Sequence, residues 1–268
     1  MRRSGIFNAA LAVSVCMFSH VASIAQSAAA NDSASACRQL PSRNALRAAL
    51  VAAVNVKGGN GGFGLNMWGT VVNRDGVVCA VAFTGSNRGD QWPGSRVISA
   101  QKANTANAFS LPKLALSTAD LYSAVQPGGS LYGLQHSNPV DTFVAYGGNS
   151  SDYGQSNDPM VGGKIGGANV FGGGLALYNA QGTLIGALGV SGDSSCADHN
   201  IAWRTRHTLN LGFVPAGVNT ADPSRPDNII YDITPAPGLA IGVSASGWGH
   251  PMCSPAAEAI AGQLPAVQ

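Results

Sequence analysis

The stretch GGGLALYNAQGTLIGALGVSGD, residues 172–193, decides the fold. It contains two apolar runs, residues 175–178 and 184–190, separated by the turn sequence NAQG at residues 179–182. Two short runs around a glycine-containing turn predict a β-hairpin. Because the runs are nearly continuous rather than alternating, the pattern predicts that both faces of the hairpin are covered by other parts of the chain.

The segments around this hairpin complete the prediction of an α+β fold. A second hairpin is predicted over residues 66–72 and 77–83, around the turn sequence NRDG. Apolar residues at helical spacing predict helices, and two short strands are predicted near the C-terminus. The helices are expected over residues 43–56, 95–109, 113–125 and 196–211, and the strands over 229–233 and 239–243. This order predicts a central, mainly antiparallel sheet flanked by helices.

The composition argues against several classes of partner. Charged residues make up 10 % of the chain and the formal net charge is +2. A chain with so few charges and no basic run is not expected to bind nucleic acid. Hydrophobic residues make up 45 % of the chain, so a packed protein is expected rather than a disordered one.

The N-terminus has the pattern of a secretory signal. Arg2 and Arg3 precede an apolar stretch over residues 6–18, and small residues near Ala25 fit a cleavage site. Residues 1–25 are therefore predicted to be a signal peptide, because the apolar stretch is too short for a mature transmembrane helix. We expect an exported protein, periplasmic or secreted, with no membrane span after cleavage.

The cysteines predict disulfides. Of the five cysteines, Cys16 lies in the predicted signal, which leaves Cys37, Cys79, Cys196 and Cys253. An even number in an oxidising compartment predicts two disulfides, and the missing metal-ligand spacing argues against structural zinc. Among the three possible pairings, the favoured one joins Cys37 to Cys253 and Cys79 to Cys196.

The last part of the chain differs in composition from the rest. Residues 212–268 contain seven prolines in the run from Pro215 to Pro255, and they carry few apolar residues in periodic arrangement. Such a segment is long enough to cover a core and too rich in proline to form its own domain. We predict a C-terminal extension packed on a core domain that spans residues 37–211.

Four segments resemble the GlcG/HbpS-like family. They are residues 45–54, the turn at 71–76, the helix at 95–106 with SR followed by AQKANTA, and residues 172–192 with GGGL and GALGVSG, followed by Asp198. The resemblance implies a profilin-like sandwich with a central antiparallel sheet. It also implies a protein that binds haem or a related tetrapyrrole and assembles into homo-oligomers.

The haem that the resemblance implies would need an iron ligand and cations for its propionates. His136 lies beside an apolar stretch and is the predicted axial ligand, although a surface histidine near a turn fits the same pattern. Arg96 and Lys102 are the predicted propionate partners. Alternatively, Arg96 is a solvated first-turn residue and Lys102 extends along its helix. Thr105 either faces the ligand or packs in the core.

The helix at residues 95–109 is also given an expected orientation. At helical spacing, Val97 and Ile98 fall on the apolar face together with Thr105, whereas Arg96 and Ala103 fall opposite. The predicted groove for haem lies beside this helix.

Other histidines offer weaker predictions. His199, Trp203 and His207 recur every four residues and share one helix face, but the two histidines are too far apart to share a metal. Trp203 is expected to be covered by the C-terminal extension or by a neighbouring subunit. His250 is expected in a terminal loop tied down by Cys253, and no Ser-His-Asp set is predicted.

Two functions follow as expectations. The first is an exported haem- or tetrapyrrole-binding protein, with a role in haem storage, sensing or uptake. The alternative is a structural or oligomeric assembly module without a cofactor. An enzyme is the less favoured expectation, because no reactive set of residues is evident.

Overall fold

A four-stranded antiparallel sheet forms the centre of the computed structural model, which describes residues 37–268. The strands are β1 (Trp68–Asn73), β2 (Val78–Phe83), β3 (Gly174–Tyr178) and β4 (Leu184–Ser191). Their order in the sheet is β2-β1-β4-β3, so the two predicted hairpins lie side by side. Every residue of β3 and β4 is buried, which confirms that both faces of this hairpin are covered.

Helices cover both faces of the sheet. On one face, α1 (Arg43–Val54) and α5 (Ser195–Thr208) share a core with the strands. This core includes Leu50, Leu188 and Ile201, all with exposures of 2 % or less. On the other face, α2 (Ser95–Phe109) packs on a second apolar cluster. The predicted α+β sandwich, with an antiparallel sheet between helices, is therefore confirmed.

The backbone of helix α2 lies very close to the backbone of strand β4. A Cβ atom added to Gly189 in β4 would lie 1.9 Å from the main-chain oxygen of Ser99 and 2.5 Å from the nitrogen of Ala103. Only glycine can occupy this position, because any side chain would collide with the helix backbone. The small residues Ala100, Ala103 and Ala106 on α2 are likewise fully buried at the sheet.

The predicted ends of α2 are confirmed, and its predicted orientation is only partly right. Val97 and Thr105 are buried as predicted, but Arg96 and Ala103, expected opposite the apolar face, are buried as well, and Ile98 is half-buried. Close packing against the sheet selects small residues rather than large apolar ones. The buried polar residues of α2 find partners elsewhere in the chain, and such partners cannot be read from helical periodicity.

The segment between α2 and β3 contains less helix than expected. No helix forms over residues 113–122; a single 3-10 turn covers Ser123–Val125. The main chain here bonds to distant segments instead, with Ala115 N donating to Ala216 O and Thr118 N to Gly174 O. Two short helices, α3 (Leu134–Ser137) and α4 (Thr142–Tyr146), and a 3-10 turn at Ser150–Asp152 follow.

The C-terminal residues lie against the sandwich. They form a two-stranded hairpin, β5 (Ile233–Ala236) and β6 (Leu239–Ser244), and the helix α6 (Pro255–Ala261). The first predicted strand of this region, over residues 229–233, is wrong for all but its last residue, because residues 229–232 form no strand and β5 begins at Ile233. Leu264 is fully buried in the core that α1 and α5 share, and Trp203 Nε1 donates to Pro265 O at 2.9 Å. The expectation that the extension covers Trp203 is confirmed, while the domain boundary at residue 211 stays a prediction.

A disulfide joins Cys196, at the start of α5, to Cys253, with a Cα–Cα distance of 5.9 Å. Cys37 and Cys79 are disulfide-bonded as well. The predicted disulfide bonding of all four cysteines and the bridge from the extension to the core are confirmed. The favoured pairing of Cys37 with Cys253 and Cys79 with Cys196 is wrong. The C-terminal extension brings Cys253 to the N-terminus of α5, where it bonds to Cys196 instead.

The predicted signal peptide, residues 1–25, lies outside the described residues. Among residues 37–268, no helix has the length and apolar character needed to cross a membrane.

Candidate functional site

The predicted propionate partner Arg96 is part of a buried ion pair. Its Nε donates to Asp158 Oδ2 at 2.9 Å, its Nη2 contacts Asp158 Oδ1, and its Nη1 donates to Ala145 O at 2.8 Å. The ring of Tyr153 lies 3.7 Å from the guanidinium carbon. The Arg96 and Asp158 side chains are 2 % and 0 % exposed. Arg96 is therefore not a solvated first-turn residue, and its charge is compensated inside the protein.

Lys102 forms a second buried ion pair, with a residue of α5. Its Nζ lies 2.7 Å from Asp198 Oδ2 and 3.1 Å from Val190 O. Burial raises the pKa of Asp198 to about 6 and lowers the pKa of Lys102, because desolvation disfavours both charged forms. Lys102 therefore connects α2 to Val190 in β4 and to Asp198 in α5. Its side chain does not extend along the surface of its own helix, and its amino group is already bound inside the protein.

Thr105 and His136 lie in different surroundings. Thr105 is buried, donates to Gln101 O at 2.8 Å and accepts from Asn169 N at 2.9 Å. His136 is exposed on α3, and its imidazole makes no hydrogen bond or ion pair to the described residues. Arg96, Lys102 and Thr105 each contact a different segment, so the four predicted site residues are not brought together into one site.

The histidines of α5 differ from one another. His199 is fully buried, and its Nε2 lies 3.1 Å from Asn228 Oδ1 and 3.2 Å from Ile229 N. Burial lowers the pKa of His199 to about 3, so the ring is neutral at physiological pH. His207, two turns further along the helix, is half-buried at its C-terminal end.

His207 lines a cavity of about 200 Å³ that we call the α1–α5 groove. The groove lies between the C-terminal ends of these two helices, and its walls are mainly aliphatic. It is lined by Ala52, Ala53, Val56, Arg204, His207, Thr208 and Pro265. Arg204 forms no ion pair with the described residues, and its buried Nε has no hydrogen-bond partner. Desolvation lowers the pKa of Arg204, so an anion in the groove would compensate an otherwise unpaired charge.

The fourth histidine of residues 37–268, His250, forms a hydrogen-bond network that the sequence did not predict. Its Nε2 lies 2.8 Å from Ser195 Oγ, which accepts from Gly172 N at 2.7 Å. Its Nδ1 contacts Pro251 O at 2.7 Å, so a main-chain carbonyl takes the place that a carboxylate holds in a Ser-His-Asp set. Burial lowers the pKa of His250 to about 4. The network anchors the terminal loop beside the Cys196–Cys253 bridge, as expected for His250.

A further cavity, of about 310 Å³, lies between the β5–β6 hairpin and residues 123–130. Its lining contains serine, glutamine, glycine and aliphatic residues, including Ser123, Gln126 and Ile241. None of the lining residues carries an imidazole or a cation. Because haem requires an iron ligand and benefits from cations at its propionates, this cavity is a poorer match than the α1–α5 groove.

With helices on both faces of its sheet, the protein is a three-layer α/β/α sandwich. The α1–α5 groove lies at the C-terminal ends of α1 and α5. The chain belongs to the family described as haem degrading protein HbpS-like, which matches residues 40–206. The match ends within α5, so the extension lies outside it. No curated protein matches the sequence.

Two solved structures are similar to part of the chain. A crystal structure of a PduOC–haem complex is 24 % identical, with a TM-score of 0.44, over 64 % of this chain and 94 % of the other. The Klebsiella pneumoniae protein ORFY is 25 % identical, with a TM-score of 0.39, over 62 % of this chain and 88 % of the other.

Proposed function

We propose that this protein binds haem or a related tetrapyrrole. Membership of a family described by its action on haem supports the ligand class. The observation in the structure that supports it best is the α1–α5 groove, where a half-buried imidazole, an unpaired guanidinium and aliphatic walls meet. These are the groups that haem needs: an iron ligand, a propionate partner and an apolar slot.

Within this groove, His207 is our proposed iron ligand. Arg204 would receive a propionate, because its buried Nε lacks a partner and its guanidinium lacks an acid among the described residues. The imidazole of His207 would provide a nitrogen ligand for the haem iron. His136 stays as the ligand proposed from the sequence, and its exposed position on α3 makes it a matched comparison for His207.

The size of the groove limits how haem could be held. A cavity of about 200 Å³ is smaller than the roughly 300–1,000 Å³ of pockets that enclose a drug-sized ligand. The groove would therefore hold one edge of the macrocycle and leave the rest outside. We expect weak to moderate affinity for the monomer, and tighter binding if a second copy covers the exposed part of the ring.

The test of this proposal is a hemin titration of the protein without residues 1–25, followed in the Soret region. We expect a saturable spectral change in the wild type. Arg204→Gln should weaken binding by up to about fivefold, the equivalent of one surface ion pair of about 1 kcal/mol. Lys113→Gln removes an exposed cation outside the groove and should leave the affinity unchanged. A wild type without saturable change would remove the haem proposal.

Export is proposed together with haem binding. The bridge between Cys196 and Cys253, and the disulfide bonding of Cys37 and Cys79, are typical of proteins that mature in oxidising compartments. A role in haem storage, sensing or uptake outside the cytoplasm is consistent with this location. Expression of the full chain followed by cell fractionation tests it; full-length protein that stays in the cytoplasm with reduced cysteines would contradict it.

An assembly module is the second candidate function, and exposed aromatic residues favour it. Phe143 and Tyr146 lie one turn apart on α4 and are 91 % and 62 % exposed, and Tyr132 nearby in the chain is 66 % exposed. Large exposed apolar groups of this kind often mark contacts between subunits. Light scattering of wild type and Phe143→Ser would show whether they support a homo-oligomer, and a mass equal to the monomer in both would argue against assembly.

A further inference from the structure

Two arginines begin α1 in an unfavourable electrostatic setting. Arg43 is the first residue of the helix and Arg47 follows four residues later, so the two side chains are neighbours on one face. Like charges at this spacing repel each other. Positive charge is also unfavourable at a helix N-terminus, where the helix dipole is positive. Neither arginine forms an ion pair with an acid of the described residues.

Main-chain carbonyls hold both guanidinium groups in place. Arg43 donates from Nε and Nη2 to Gly154 O, at 3.1 and 2.8 Å. Arg47 donates from Nε to Phe83 O at 3.0 Å and from Nη2 to Thr84 O at 3.3 Å. Carbonyl groups orient a guanidinium without neutralising its charge. The two groups are therefore preorganised while their positive charge stays available to an anion.

These two side chains line a cavity of about 290 Å³ that we call the arginine cavity. Its lining also includes Arg88, Ser86, Tyr153 and Gln155, so three arginines border one space. Gln155 Oε1 accepts from Arg43 Nη2 at 3.5 Å, and the Tyr153 hydroxyl donates to Tyr146 O at 3.1 Å. No acidic residue lines the cavity. Asp90, on the loop that carries Arg88, accepts hydrogen bonds from Ser86 Oγ and Asn87 N, at 3.3 and 2.9 Å.

We propose that the arginine cavity binds a small phosphate monoester. Guanidinium groups match the geometry of phosphate oxygens and donate to them in pairs, and three positive charges favour a dianion over a monoanion. The volume of the cavity exceeds the needs of a phosphoryl group alone, so a compact organic part would fit beside it. Phe83, Tyr153 and Gly154 are among the residues that line the same space, and that part would lie against them.

This site is separate from the proposed haem site. The arginine cavity uses the N-terminal residues of α1, whereas the α1–α5 groove uses Ala52, Ala53 and Val56 at the other end. A helix of 12 residues is about 18 Å long. The two ligands would therefore bind independently.

Calorimetric titration with glycerol 3-phosphate at low ionic strength tests the proposal. We expect one saturable site per chain in the wild type. Arg47→Gln should weaken binding by about tenfold or more, because a charge-assisted pair of hydrogen bonds is lost. Arg47→Lys should weaken it less, because the charge stays and the forked donor geometry is lost. Lys57→Gln removes an exposed cation just beyond the other end of α1 and should leave the affinity within about twofold of the wild type.

Three results would overturn the proposal. One is the absence of saturable binding in the wild type. Another is equal loss of affinity in Arg47→Gln and Lys57→Gln, which would indicate attraction to overall charge alone. The last is competition by hemin with weakened hemin binding in Arg47→Gln, since the cavity would then belong to the haem site. Arg43→Gln and the melting temperature of each variant guard against a misfolded Arg47→Gln.

Discussion

Two sets of cations among residues 37–268 differ in their partners. Arg96, Lys102 and Arg206 are 1–2 % exposed in their side chains, and each meets a buried aspartate. Arg43, Arg47 and Arg204 are half-buried near the surface and meet no acid of the described residues. A buried charge must be compensated within the fold. An uncompensated charge beside a cavity can be compensated by a ligand, so the second group indicates where anionic ligands would bind.

The largest expected effect comes from breaking a buried pair. Asp158→Ala leaves the Arg96 guanidinium without its acid at a fully buried position, and we expect a loss of about 3–5 kcal/mol in the free energy of unfolding. The double variant Arg96→Met/Asp158→Leu removes both charges and should recover much of the loss. Denaturant titration measures both. A loss below about 1 kcal/mol for Asp158→Ala would show that the pair is not a required part of the fold.

The disulfide of the extension should have the next largest effect. Cys196→Ser/Cys253→Ser opens a covalent loop with a sequence separation of 57 residues. We expect the free energy of unfolding to fall by about 2–4 kcal/mol. The His250 network would then hold the terminal loop alone. Denaturation of the oxidised double variant checks this, and an unchanged midpoint would mean that non-covalent contacts suffice to hold the extension.

The buried histidines predict a pH dependence. The pKa of His250 is lowered by burial to about 4 from 6.5, so below pH 6.5 the unfolded chain binds more protons than the folded one. Stability should therefore fall as the pH is lowered from 7 to 5. His250 should account for on the order of 2 kcal/mol of this fall, at 1.36 kcal/mol per unit. His199, with a pKa of about 3, acts in the same direction.

The raised pKa of Asp198, about 6, acts in the opposite direction. Its folded form binds protons more tightly than the unfolded form, so acidification favours the folded state at this residue. Comparing wild type with His250→Gln at pH 7 and pH 5 cancels the Asp198 contribution. The variant should lose less stability than the wild type over this interval; equal losses would mean that the His250 pKa is not lowered.

The smallest effect is expected at the unpaired arginines. Arg47→Gln removes a repulsion from Arg43 and an unfavourable charge near the helix N-terminus, and it also removes two hydrogen bonds to carbonyl groups. These contributions oppose each other, so stability should change by no more than about 0.5 kcal/mol. Thermal unfolding measures this. A loss above about 2 kcal/mol would place Arg47 with the structural cations and weaken the case for a ligand at the arginine cavity.

The sequence predicts local features of this protein well. The four strands, the hairpin turns and the boundaries Ser95–Phe109 of α2 follow from apolar runs, turn residues and helical spacing. The expected helix over residues 113–125 does not form, because the main-chain groups of Ala115 and Thr118 bond to Ala216 and Gly174. The spacing of apolar residues predicts the structure that a segment would adopt alone. Hydrogen bonds from its main chain to distant segments can favour a different structure.

The candidate sites depend almost entirely on such distant partners. Arg96 meets Asp158, which lies 62 residues further along the chain, and Ser195 meets His250, 55 residues away. Whether a cation has an acidic partner or remains unpaired therefore depends on the folded structure and cannot be read from the sequence around it. The resemblance of the sequence pointed to haem, whereas our proposal of His207 instead of His136 or His199 rests on the folded positions of all three.

We propose above all that the α1–α5 groove supplies the iron ligand. The most direct measurement is the Soret spectrum of the hemin complex in His207→Ala and His136→Ala, recorded beside the wild type. We predict a shifted Soret maximum in His207→Ala, because the iron loses its imidazole, and an unchanged spectrum in His136→Ala. A wild-type spectrum in His207→Ala, with the shift in His136→Ala, would contradict the claim and move the site to α3.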